Sequence, residues 1–180
     1  MNDISRKLYL KFTIIYGHKF TKDYPNDMAI QAWWEEWGDG LTGIDLNYIK
    51  AALDYCKFNL KWAPAMSEFI DLCDKAAGMP TPQEAMQLAI RRDFTKPIVK
   101  TIFEKIGSWD MQHDSEAVLI KKFKEWHAIE IGKFREDRKK LALANRGISH
   151  GRENGEQRRS IDHDELGANG VRKAESYLPH

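Results

Sequence analysis

Pro64 constrains the chain more than any other residue, because it stands between two apolar periodicities and no helix can run through it. It biases Ala63 toward extended geometry, so one element must end before Trp62 and another begin at about Pro64. Behind it Met66, Phe69, Ile70, Cys73 and Ala77 recur at i, i+3, i+4, i+7 and i+11, one face of a helix. Gly78 and Pro80 supply its stop. Similar patterns fill the chain on both sides, and they predict an all-α fold.

The first predicted helix runs from Ile4 to about Lys19, with Ile4, Leu8, Phe12 and Ile15 inward. Pro25-Asn26-Asp27 opens a second, whose Ile30, Trp33, Trp34 and Trp37 recur at i, i+3, i+4 and i+7. Such regular spacing points to core packing for the tryptophans and not to a ligand slot. Asp45 or Thr42 caps a third helix, with Ile49, Leu53, Cys56 and Leu60 on one face. The fourth is the segment after Pro64. Thr81-Pro82-Gln83-Glu84 is a capping box with a first-turn proline and starts a fifth helix ending near Asp93. Pro97 begins a sixth, with Ile98, Ile102, Phe103 and Ile106 inward and Gly107 as its stop.

Asp114-Ser115-Glu116 opens a seventh helix, expected to reach about Asn145 and marked by Leu119, Phe123, Trp126, Phe134 and Leu141. Its apolar face is dense to Ile131 and sparse afterwards. From Lys121 to Lys140 it carries eight basic residues against four acidic ones, a net +4. Its distal half is therefore expected to project from the domain. Beyond Arg146, glycines punctuate a stretch with few large apolar side chains, which predicts a flexible tail with Ala174–Leu178 as a short docking motif. The expected organisation is a helical domain over residues 1–110, a long basic helix over 111–146 and a tail over 147–180.

Formal charge is +1 over 180 residues, so attraction to nucleic acid has to come from a local patch. No apolar run approaches the roughly 20 residues of a membrane span, and no signal-peptide core opens the chain, which predicts a protein of the cytoplasm of its cell. Cys56 and Cys73 each fall on an apolar helix face and read as reduced core cysteines.

Catalysis needs a convergent set of groups, and the candidates here do not converge. The histidines are scattered, and Trp126-His127 and His113-Asp114 read as helix-surface or helix-start residues. No metal-ligand spacing or phosphate loop appears. Gly38-Asp39-Gly40-Leu41-Thr42-Gly43 matches the three-glycine dinucleotide pattern, but a helix precedes it where the motif needs a strand, so it reads as a helix–helix turn. The expectation is a binding protein, with no cofactor, no metal and no enzymatic activity.

The tryptophan-rich second helix, Gly40-Leu41-Thr42, the break at Pro64 and above all Pro64-Ala65-Met66-Ser67-Glu68-Phe69 with Cys73 and Gly78-Met79-Pro80 resemble the replication protein P family of lambdoid phages, the helicase loaders. The similarity covers about the first half of the chain. Where that family has a serine after the proline, this chain has Ala65, leaving Ser67 as the expected cap. The resemblance implies a phage or prophage DNA replication protein of the host cytoplasm. Such a loader binds the host replicative helicase hexamer, holds it open and inactive, and loads it onto origin DNA. A phage origin-binding initiator and weak single-stranded DNA binding complete the implied partners, with no membrane. From charge and expected exposure, the contact surface is assigned to Lys133, Arg135, Arg138, Lys139 and Lys140, with Tyr177 and Leu178 of the tail. The alternative is a DNA-binding or regulatory helix-turn-helix formed by helices three and four. Against it, Lys61 and Lys75 are outnumbered there by Glu68, Asp71 and Asp74, whereas a recognition helix should be basic.

Overall fold

The computed structural model describes the backbone of residues 3–174 and the side chains of residues 3–145. Among the described residues there are nine helices and no strand: α1 (Asp3–Tyr16), α2 (His18–Thr21), α3 (Asp27–Gly40), α4 (Leu46–Asn59), α5 (Met66–Ala76), α6 (Pro82–Ile90), α7 (Pro97–Ile106), α8 (Ser108–His113) and α9 (Glu116–Ala174). The chain divides into two units, Met1–Lys139 and Lys140–His180. The described part of the second is the continuation of α9, with side chains to residue 145.

The first unit contains two hydrophobic cores. One joins α1 to α5 around Phe12, which is fully buried and meets Tyr16, Phe20, Trp33, Trp37 and Phe69 edge-on at centroid distances of 5.5–6.2 Å. Edge-to-face pairs of this kind each add about 0.5–1.5 kcal/mol beyond the area they bury. Trp33 and Trp37 stack at 4.5 Å, so the tryptophan face is core, as its spacing predicts. The other core joins α6, α7 and the start of α9 through Ala85, Met86, Val99, Ile102, Leu119 and Phe123. The linker Gly78-Met79-Pro80 lies between them.

Local chemistry sets the helix ends. Asn26 accepts from the Ala29 amide at 2.9 Å and caps α3, and Asp45 accepts from the Asn47 amide at 2.8 Å and caps α4. The Thr81 box closes in both directions: Glu84 accepts from the Thr81 amide at 2.8 Å, and Thr81 Oγ1 accepts from the Glu84 amide at 3.2 Å. At α5 only half of such a box exists. Ala65 is the N-cap and has no side-chain acceptor, while Glu68 accepts from its amide at 2.8 Å. The helix thus starts at Met66, and Ser67 is not its cap.

Several boundaries differ from those the sequence predicts. The expected first helix is two, because Gly17 takes φ +56°, a conformation costly for any residue with a Cβ, and turns the chain between α1 and α2. The fifth stops at Ile90, with Arg92 at φ +54° just beyond. A short α8 precedes the last helix. That helix continues to Ala174, past the Asn145 end expected, since no proline lies between Pro97 and Pro179 to end it. Phe134 and Leu141, expected as apolar marks, are 41% and 64% exposed. Gly38 and Gly40 close α3. A Cβ on Gly40 would stand 2.6 Å from Met66 Sδ, so this glycine lets α3 approach α5. That gives the glycine cluster a packing purpose.

Candidate docking site at the joint between the cores

The two cores are fastened where α5 meets α9. Asp74 is 1% exposed, and a carboxylate so deeply buried needs cationic partners to offset its desolvation. It has two: Arg135 Nε donates to one oxygen and Arg138 to the other, both at 2.7 Å. Arg135 also donates to Asp71 at 2.5 Å. Burial acts to lower the Arg135 pKa, but the hydrogen bonds to Asp71 and Asp74 outweigh it and raise it. Lys139 reaches Asp39, at the end of α3, at 2.5 Å. About two turns before this cluster on α9 the buried His127 bonds the Pro80 carbonyl through Nε2 at 2.8 Å. His127 is thus a tie between α9 and the linker, not the helix-surface residue the sequence suggests.

The expected contact residues are therefore used unevenly. Lys133 pairs with Glu130 at 2.7 Å and stays 59% exposed. The side chains of Arg135 and Arg138 are only 28% and 17% exposed, and the charge that marked them as an outward face is turned to α5. Lys139 is intermediate at 39%. Lys140 belongs to the second unit. Tyr177 and Leu178 lie outside the described residues. The sequence reading missed Asp39, Asp71, Asp74 and His127. One signal was present: Asp71 and Asp74 repeat at i, i+3 in α5, as Arg135 and Arg138 do in α9.

Among the described residues, three grooves border the linker. The first, of about 650 Å³, lies between α5 and α9 beside Leu72, Pro80, His127 and Ile131. A second, of about 550 Å³, follows α6 past Gln87 and Arg91. The third, of about 510 Å³, runs past Pro97, Ile98, Lys133 and Phe134. Each is lined by apolar side chains together with charged ones.

Both cysteines are free and buried. Burial pushes the Cys56 thiol up to about 11 and, with Asp74 beside it, the Cys73 thiol up to about 12, far from a nucleophile's range. Tyr16, whose hydroxyl donates to the Cys56 carbonyl at 3.2 Å, is likewise raised by burial to about 12. Among the described residues no three His, Cys, Asp or Glu side chains are grouped to hold a metal ion, and no helix is long and apolar enough to cross a membrane. No protein-family model, curated protein or solved structure matches the chain.

Proposed function

We propose that this chain is a non-enzymatic loader of a replicative helicase: a phage or prophage protein that binds the host hexamer, holds it open and inactive, and delivers it to origin DNA. The resemblance of residues 64–80 to the replication protein P family motivates the reading. The observation that carries it is that this segment is the one on which α9 closes, through Asp71, Asp74 and Pro80. That segment and the basic helix assigned to the partner thus lie against each other, with grooves on each side of the linker.

A protein without its own nucleotide site can remodel a hexameric ATPase only by binding one of its conformations more tightly than the other. The grooves and the exposed Lys133 are where such recognition is assigned. An origin-binding initiator and weak contact with single-stranded DNA belong to the same reading. The helix-turn-helix alternative asks α5 to enter a DNA groove, yet Asp71 and Asp74 of α5 are engaged with α9, and a phosphate backbone would repel them.

The test is a pull-down of the host's purified replicative helicase by the full chain, followed by ATPase and unwinding rates with and without it. Stable binding with depressed ATPase is expected, persisting as salt is raised because the grooves are largely apolar. No binding at low micromolar concentration, with and without nucleotide, would overturn the reading. Steeply salt-dependent binding to duplex DNA would favour the helix-turn-helix.

A further inference from the structure

The face of α4 turned away from the core is aromatic where a surface helix is ordinarily polar. Ile49, Ala52 and Cys56 point into the core. On the outer side Tyr48, Ala51, Tyr55 and Phe58 recur at i, i+3, i+7 and i+10, all exposed, the three aromatic residues by 38%, 44% and 76%. Isolated exposed apolar residues are common on proteins. Four in one helical stripe, about 15 Å long, form a continuous strip. Ala51 leaves a dip between Tyr48 and Tyr55, the shape that accepts a ridge from a second helix.

Charge identifies the kind of helix. One flank of the stripe carries Lys50 and Lys57 with Asp54 between them, and Lys61 follows the helix end. Lys57 Nζ lies 5.0 Å from the centre of the Phe58 ring, so a cation borders the most exposed aromatic residue. An antiparallel second copy would set this lysine flank against itself. An acidic helix would pair with it while its apolar face covered the rings.

We propose that the outer face of α4 is a docking site for an amphipathic helix of a partner protein, with leucine-like residues over Tyr55 and Phe58 and carboxylates along Lys50 and Lys57. This site is separate from the joint between the cores, and it stands whether or not the partner is a helicase.

The probe is a labelled, alanine-based helical peptide of about 18 residues, with leucines at i, i+3, i+4 and i+7 and glutamates only along the flank that would face the lysines. Its control keeps the leucines and replaces glutamate with lysine. With the full chain, fluorescence anisotropy should show saturable micromolar binding of the acidic peptide only. Tyr55→Ser with Phe58→Ser should weaken it at least about 10-fold. Lys50→Glu with Lys57→Glu should weaken the acidic peptide and admit the lysine one. These side chains are exposed, so circular dichroism should be unchanged; if the serine variant fails to fold, the lysine variant decides the matter. Absence of saturable binding, equal binding of both peptides, or indifference to the substitutions would overturn the proposal. So would a dimer, or binding of a single-stranded oligonucleotide, that Phe58→Ser abolishes.

Discussion

Asp74 is the residue on which the joint turns, since it has almost no contact with water and takes both its partners from a helix more than sixty positions away. Removing its charge leaves two arginines facing a neutral amide. Asp74→Asn should lower stability by about 2–3 kcal/mol, below the full cost of breaking a deeply buried pair because the arginines retain some solvent; urea unfolding measures it. Replacing Asp74, Arg135 and Arg138 together by leucine should recover part of that loss, as buried ion networks often do. The thiols give a pH expectation. Cys56 and Cys73 hold their protons to about 11 and 12 in the folded chain, against 9.0 ordinarily. Above pH 9 the unfolded chain releases protons that the folded chain keeps, so stability is full below pH 9 and falls as pH rises toward 12. Denaturation midpoints between pH 7 and about 11 would record this, and neither thiol should react with a disulfide reagent at pH 8 until the chain unfolds.

Individual helices show where the sequence could be read and where it could not. Leu8, Phe12, Trp33, Trp37, Cys56, Phe69, Ile102, Leu119 and Phe123 are all buried as their spacing requires, because the period of a helix fixes which side chains share a face. The ends were harder: Gly17 divides a periodic run without disturbing its pattern, and α8 is too short to have a period. The joint was hidden for another reason. Periodicity describes neighbours within a few residues and says nothing of Lys139 meeting Asp39, 100 positions earlier. At α5 the half-formed capping box supplies a direct test. Ala65 already has the extended geometry of a cap, φ −63° and ψ 158°, and Glu68 already bonds its amide. Ala65→Ser should therefore add the missing acceptor and stabilise by about 0.5–1 kcal/mol, read from thermal unfolding, whereas Thr81→Ala at α6 should cost about 1 kcal/mol.

Taken whole, the first unit is two cores held by a short linker, one buried histidine and a cluster of charges. Arg135→Ala, Arg138→Ala and Lys139→Ala together should leave both cores folded while loosening the joint. Limited proteolysis at Met79 should then quicken by about 10-fold or more, and calorimetry should resolve two transitions where the parent shows one. Unchanged proteolysis would show that the apolar contacts hold the joint without the charges. The order of the chain adds a consequence for its synthesis. Everything that buries the first core has been made by Cys73, yet Arg138, the second partner of Asp74, lies 64 residues beyond that aspartate. At about 5–20 residues per second a ribosome needs roughly 3 to 13 seconds to add them. During that interval the first core can close, but the carboxylate of Asp74 can only remain hydrated. The joint is thus a timer set by translation, and it locks only after α9 has emerged.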